Sequence, residues 1–336
     1  MAKLTLIFSD GDTSSVGVDR DETLLAAAKR GGVKLASDCE MGDCQTCRAR
    51  IVAGKATHDP DTILSLSDQE VLAGDVLLCV ANADGDVAVQ LPYERASLLP
   101  TRTVNLEVQA VEQLCDSVMR LSARVTGRIP LTFLPGQYLN MKVPGTDQWR
   151  SYSMANAAGE AGPLEFLIRI LDQGVMSEFL KRRVAPGDAI EANGPFGTFY
   201  LRDAKAKRPL LMVAGGTGVA PIAAMLRTMK TTGDNRAITL CFGVTQVHDL
   251  FYVEELQKLA AELPDLALRI AVMTGDSSPY ANGTAVDLIK REDAIGHDIY
   301  LCGPPAMTDG ARTMLTGLGI PADSILTERF VAVGES

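Results

Sequence analysis

Alternation of apolar and polar positions opens the chain. Leu4, Leu6 and Phe8 occupy every second place in "KLTLIFSDGDTSSVGVDRD", and "SDGD" supplies the turn of a β-hairpin. "ETLLAAAKRGG" then reads as a short helix closed by Gly31 and Gly32. A cysteine-rich loop follows, then a strand in "CRARIVAG", a polar stretch containing "TILSLSDQEVLAG", and a strand pair around Cys79 and "GDVAVQL". The order predicts a compact mixed β/α module over 1–98, with "PYERASLLP" as its linker.

From 99 to 204 the pattern changes to short apolar runs at regular intervals, punctuated by Gly and Pro. "RTVNLEVQAVEQL", "VMRLSARVT", "QYLNMKVPG", "WRSYSMAN" and "PLEFLIRIL" predict a small antiparallel β-barrel, with one helix in "GVMSEFLKRRV". From 205 to 336 apolar strands alternate with amphipathic helices. "RPLLMVAGG" leads into "APIAAMLRTMKT", "AITLCFGV" into "DLFYVEELQKLAAEL", and "DIYLCGPP" into "AMTDGARTMLTGLG". "LALRIAVM", a helix near "AVDLIKRED" and a closing "ILTERF" complete the pattern of an α/β, doubly wound parallel sheet.

Composition narrows the function classes. No stretch approaches the run of about 18 apolar residues that a membrane span needs, and the N-terminus lacks the regions of a signal peptide, so the expected location is cytoplasmic, with no membrane partner. The net charge of -10 and pI near 4.9 speak against nucleic acid. The charge is uneven, because residues 1–98 carry 9 Lys/Arg against 16 Asp/Glu. That excess serves solubility, or steers a basic docking partner. Seven cysteines, an odd number, fit reduced thiols and metal ligation better than a disulfide framework.

Three of those cysteines, Cys39, Cys44 and Cys47, crowd into "SDCEMGDCQTCRAR", and Cys79 follows alone. Structural zinc, the competing reading, usually takes paired C-x2-C knuckles, and only one such pair is present. C-x4-C-x2-C with a distant fourth cysteine is the plant-type [2Fe–2S] spacing. The loop would complete one iron and half-ligate the other, leaving Cys79 to finish the second. In the barrel, "RSYS" offers a guanidinium fork for phosphate, a flat ring for stacking and a small hydroxyl. "QGVMS" precedes a helix whose unpaired N–H groups make an anion site. In the third segment "VAGGTGVAP" follows a strand and opens a helix near Pro221; it is not the G-x-G-x-x-G fingerprint.

These motifs carry a resemblance. The cysteine loop resembles the plant-type ferredoxin family, which implies a β-grasp fold. Gln45 and Glu40 depart from that family's usual residues and leave the potential and the partner-facing surface in question. R-x-Y-S followed by G-x-x-S resembles the flavin domain of the ferredoxin–NADP reductase superfamily. The resemblance implies FAD, with Arg150 on the pyrophosphate, Tyr152 against the isoalloxazine, Ser153 near its N5, and Gly174, Met176 and Ser177 as the phosphate cradle. Gly215, Gly216, Thr217, Gly218 and Pro221 match the same superfamily's G-G-x-G-x-x-P, and "LCGPP" implies Cys302 beside the nicotinamide, with Gly303 and Pro304. The resemblance implies Phe330 as the aromatic cover of the flavin, with Glu328 as a second candidate for that role. "FGVTQVHDLFY" offers Thr245, Gln246 and His248 but no arginine for a 2′-phosphate, which points to NADH, with His248 keeping NADPH open.

The three motifs together resemble the reductase component of aromatic-ring-hydroxylating dioxygenases, of the benzoate, toluate and anthranilate type. That resemblance implies electron flow from NADH through FAD and a [2Fe–2S] cluster to a Rieske-type terminal oxygenase. A reductase of a diiron monooxygenase shares all three motifs, and a redox-sensing flavoprotein is the alternative of another class.

Overall fold

The computed structural model describes residues 2–58, 62, 65–127, 129–203 and 207–331. The chain divides into two compact units, one running to Pro100 and the other starting at Thr101, with Phe196–Thr198 grouped with the first.

In the first unit, β1 (Ala2–Ile7) and β2 (Thr13–Val18) form the expected hairpin, with Leu4 and Leu6 fully buried. α1 (Leu24–Arg30) begins at Thr23, whose Oγ1 accepts the Ala26 N–H at 3.2 Å, and ends at Gly31. It buries Leu24, Leu25, Ala27 and Ala28. Seven residues are too few for a helix to stand alone, so the roughly 1.5–3 kcal/mol gained per buried leucine holds it. β3 (Arg48–Ala53), β4 (Ala56–His58), α2 (Asp68–Leu72), β5 (Asp75–Leu77), β6 (Ala81–Ala83) and β7 (Val87–Gln90) follow. The main sheet runs β2-β1-β7-β3-β5, and β4 pairs with β6 in a separate ladder.

Two expectations are corrected in this unit. Cys79 lies in the turn between β5 and β6, not in a strand. Leu78 spends its N–H on Cys47 O at 3.2 Å and its carbonyl on Leu25 N–H at 2.8 Å, which takes it out of any ladder. "PYERASLLP" is not a free linker. Tyr93 is buried edge-on to Phe8 and its hydroxyl accepts the Ala36 N–H at 3.0 Å, while Arg95 reaches Asp12 and Ser14 at 2.8 and 2.7 Å.

The second unit begins with the barrel. β8 (Arg102–Cys115), β9 (Val118–Thr126), β10 (Tyr138–Lys142), β11 (Trp149–Ser153), β12 (Leu164–Arg169) and β13 (Ala189–Phe196) are ordered β11-β10-β13-β8-β9-β12, with α3 (Val175–Arg182) between β12 and β13. A bridge from Met154 to Phe166, and the Ala155 N–H donated to Glu165 O at 2.8 Å, carry the chain beyond β11 onto β12 and close the sheet. Leu106, Leu121, Leu139, Met141, Phe166 and Ile190 fill the interior.

The remainder alternates as its sequence predicts. β14 (Leu210–Gly215), α4 (Val219–Thr232), β15 (Ile238–Val244), α5 (Val253–Glu262), β16 (Leu266–Val272), β17 (Ala281–Asn282), β18 (Asp298–Gly303), α6 (Pro305–Gly317) and β19 (Ile325–Arg329) give a parallel sheet ordered β17-β16-β15-β14-β18-β19. β14 and β15 are buried at every residue, as strands covered on both faces must be. The helix expected near Val286 is replaced by two 3₁₀ turns, Val286–Leu288 and Arg291–Asp293. Asp293 accepts the Lys290 N–H at 3.0 Å, a donor that a continuous helix would give to Val286 O, while Asp287 caps the first turn by accepting the Thr284 N–H at 2.7 Å. Among the described residues no helix is long and apolar enough to cross a membrane.

Candidate functional site

The loop between α1 and β3 curls through positive φ at Glu40 (55°), Gly42 (87°) and Gln45 (56°), which turns its thiols inward. Cys39 Sγ accepts the N–H groups of Met41 at 3.4 Å and Cys44 at 3.3 Å, and Cys44 Sγ that of Cys39 at 3.5 Å. The turn after β5 brings Cys79 against Cys47, and the Gly42 N–H donates to Cys79. The four thiols are therefore gathered two by two. Within each pair one is lowered and its partner raised: the bond from Cys44 pulls Cys39 down to about 5, and the bond from Cys47 lowers Cys79. Two pairs of soft sulfur donors with backbone N–H groups aimed at sulfur fit a two-iron cluster that would take two cysteines per iron.

Gln45 is not spare surface. Its Nε2 donates to Ser65 O at 2.7 Å and its Oε1 accepts from Arg48 at 3.1 Å. Arg48 continues to Glu70 at 2.8 Å and to Asp75 at 2.5 Å. Gln45 thus ties the cysteine loop to the segment leading into α2, while Glu40 pairs with Lys29 in solvent.

On the barrel, β11 presents Arg150 and Tyr152 at its partly accessible edge and Ser153 buried. Arg150 donates to Gln148 Oε1 at 2.7 Å and Trp149 O at 2.8 Å, both neutral, and no carboxylate pairs with it among the described residues. Its charge remains available for an anion. Burial pushes the Tyr152 hydroxyl up, so it stays neutral and its ring can stack. α3 starts at Gly174 without a side-chain cap, leaving the first-turn N–H groups of Val175, Met176 and Ser177 to accept an anion. The Met176 side chain is in the barrel core and Ser177 Oγ accepts the Leu171 N–H at 2.9 Å, so backbone rather than side chains forms this cradle.

The strand order of the parallel sheet reverses between β14 and β18, and the crevice beyond that switch point is where such sheets bind ligands. Gly215, Gly216 and Gly218 end β14 there, Gly303 and Pro304 end β18, and Thr217 is buried between the glycines. A Cβ on Gly218 would stand 2.3 Å from Cys302 O, and one on Gly303 would stand 3.0 Å from Gly215 N, so both turns need glycine to pack. α4 begins at Val219, two residues before the expected Pro221. Its first turn has neither an acidic residue nor a side-chain cap, a setting suited to pyrophosphate.

Beside this crevice the two halves of the second unit meet. Ser153 Oγ donates to Glu328 Oε2 at 3.4 Å, and Cys302 Sγ to the same oxygen at 4.0 Å. β19 pairs Glu328 with Cys302, and Phe330 N–H donates to Gly303 O at 2.8 Å. Burial raises Glu328 to about 8, opposed by the Ser153 bond, and pushes the Cys302 thiol well up. Both are held protonated near neutrality, giving a small, uncharged group of side chains. The sequence marks these residues but not their shared oxygen.

It does not mark others. Tyr252, at φ 62°, donates to Glu165 on β12 and accepts from Arg227 at 2.6 Å, and Arg227 donates to Ala155 O at 2.9 Å. These bonds join barrel and parallel sheet, and no local motif announces them. His248 is exposed after β15, as are Thr245 and Gln246.

Residues 7–84 match the 2Fe-2S iron-sulfur cluster binding domain, 105–200 the oxidoreductase FAD-binding domain and 212–313 the oxidoreductase NAD-binding domain. The chain is 36% identical over 335 residues to the toluate 1,2-dioxygenase electron transfer component of Pseudomonas putida, covering 98% of each. It is 32% identical over 328 residues to the propane 2-monooxygenase reductase component of Rhodococcus jostii, covering 94% of this chain and 88% of that one. Among solved structures, an Amycolatopsis cytochrome P450 reductase matches with a TM-score of 0.72 at 29% identity, over 98% of this chain and 99% of that one.

Proposed function

The chain belongs to the family of reductases that carry a 2Fe-2S domain, an FAD-binding domain and an NAD-binding domain in one polypeptide, and from that premise we propose that it takes electrons from NADH and delivers them singly to the Rieske-type terminal oxygenase of an aromatic-ring dioxygenase, in the cytoplasm. The observation that carries this reading is the shared contact of Ser153 and Cys302 with Glu328, which puts the barrel edge and the nucleotide crevice at one place.

NADH supplies two electrons as hydride, FAD exchanges two or one, and a 2Fe-2S cluster takes one at a time, so all three are needed between a pyridine nucleotide and a one-electron acceptor. In this reading Cys39, Cys44, Cys47 and Cys79 hold the cluster within a domain of residues 1–98. Arg150 and the backbone at Gly174, Met176 and Ser177 bind the flavin phosphates within 99–204, and Tyr152 gives its ring a stacking face. Gly215, Gly216, Thr217, Gly218 and Pro221 receive the nucleotide pyrophosphate within 205–336, with Gly303 and Pro304 leaving room for its ring. Ser153, Cys302 and Glu328 would exclude water and orient the reacting rings, and Phe330 would be the aromatic cover at the flavin site. Hydride transfer needs no general base, which agrees with a cluster held neutral.

The absorption spectrum of the purified protein, titrated with NADH and with NADPH, tests the reading. Flavin and cluster bands that bleach with NADH at far lower concentration than with NADPH are expected; absence of either band sinks it. Reconstitution with a benzoate- or toluate-type oxygenase should exceed that with a monooxygenase hydroxylase, the acceptor class favoured by the similarity to propane 2-monooxygenase reductase components.

A further inference from the structure

His58 lies on β4, opposite Ala81 of β6 in the antiparallel ladder. Its Nε2 accepts the N–H of Leu77 at 3.1 Å, the last residue of β5. Leu77 and Ala81 are the two ends of the turn that carries Cys79, so one residue holds both, the first by its side chain and the second by its backbone. Inside the turn, Val80 N–H donates to Leu77 O at 3.2 Å and Leu78 N–H to Cys47 O at 3.2 Å. Without His58 the Leu77 N–H, at the point where β5 leaves its ladder, loses its acceptor. A backbone amide can only donate, so Nε2 is the acceptor and Nδ1 carries the proton. Burial lowers the imidazole below its usual range, which keeps it in that neutral form. Nothing in the hydride or electron chemistry above calls for a histidine here.

We propose that His58 is a positioning residue for Cys79: it clamps the turn from Leu77 to Ala81 so that the fourth thiol is presented against Cys47. The clamp explains how a cysteine outside the loop is held in place although it sits in no strand. It rests on the reading that Cys39, Cys44, Cys47 and Cys79 hold a 2Fe-2S cluster. Wild-type protein that shows flavin but no cluster absorption would sink that reading before any variant is compared.

The test uses full-length holoprotein and three variants. His58→Met fills the space with only a weak thioether acceptor, His58→Asn carries one too short to reach, and His58→Gln carries one at the reach of Nε2. Loss of iron to a chelator is followed at the cluster band, with the flavin as internal standard, and hydrogen exchange is read at the Leu77 amide. The Met and Asn variants are expected to release iron about tenfold faster than wild type and to exchange Leu77 faster, with NADH-dependent flavin bleaching unchanged; His58→Gln should stay within about twofold of wild type. Wild-type release rates in the Met and Asn variants overturn the proposal. So does a Gln variant as labile as Met, because the imidazole would then act only by bulk, and so does loss of flavin together with the cluster, which marks a general folding defect.

Discussion

Glu328 is held at about 8 in the folded chain against an ordinary 4.5, because burial disfavours its charge. Between those two values the folded state binds a proton that the unfolded chain has released. The carboxyl's contribution to stability is therefore least unfavourable below pH 4.5 and worsens as pH rises towards 8. The side chain keeps some accessible surface, so screening leaves the slope below the one-proton limit of about 1.4 kcal/mol per pH unit. Glu328→Gln should flatten the dependence of melting temperature on pH over this window, and scanning calorimetry of both holoproteins measures it. An unchanged curve would mean the carboxyl is solvated. Gln45 makes a second case at this scale. Ala at position 45 loses two hydrogen bonds and keeps the strain of φ 56°, at a cost of about 1–2 kcal/mol, whereas Gly loses the same bonds but relieves the strain. Cluster retention in denaturant should fall in the order wild type, Gln45→Gly, Gln45→Ala. The reverse order of the two variants would mean that the positive φ at position 45 carries no strain in this loop.

At the scale of elements, the glycine turn after β14 works only because β18 lies beside it. Gly218→Ala places a methyl 2.3 Å from Cys302 O and 2.6 Å from its carbonyl carbon, backbone atoms that cannot swing away. The end of β18 must shift, and with it Gly303 and the crevice. The half-saturating NADH concentration should rise at least about tenfold, a loss of about 1.4 kcal/mol in binding, while flavin and cluster spectra stay as they are. A stopped-flow titration of flavin bleaching reads this directly. The contrast shows which parts of the site were legible beforehand. "RSYS", "VAGGTGVAP" and C-x4-C-x2-C are local: each holds its chemistry within a few residues, so spacing reveals it. Ser153 and Glu328 are 175 residues apart and meet only through sheet register. The same limit hid the acceptor for Leu77 and the clash behind Gly218. Where local pattern misled, as near Val286 and at Cys79, side chains or a distant carbonyl had taken the backbone donors that a regular element needs.

Across the whole molecule, the division of labour follows the division of the chain. All four thiols proposed to hold the cluster belong to the first unit, and every residue proposed for flavin or nucleotide belongs to the second. The acidic excess, 9 Lys/Arg against 16 Asp/Glu in residues 1–98, also sits on the cluster side, where an electron acceptor would approach. Removing the cluster should therefore disconnect output without touching input. Cys79→Ser leaves the nucleotide crevice and the Ser153–Glu328–Cys302 contacts intact but breaks the thiol pair with Cys47. NADH-driven reduction of ferricyanide, which draws electrons from flavin, should stay within about twofold of wild type, while reduction of the oxygenase should fall by about a hundredfold or more. Raising ionic strength should slow wild-type oxygenase reduction if a basic face of the oxygenase docks on the acidic surface, but should not slow ferricyanide reduction by the variant, because ferricyanide is an anion that the chain's net charge of -10 repels. If both reactions fell together in Cys79→Ser, the cluster would be supporting the flavin site itself, and the two units could not be treated as separate stages of one electron path.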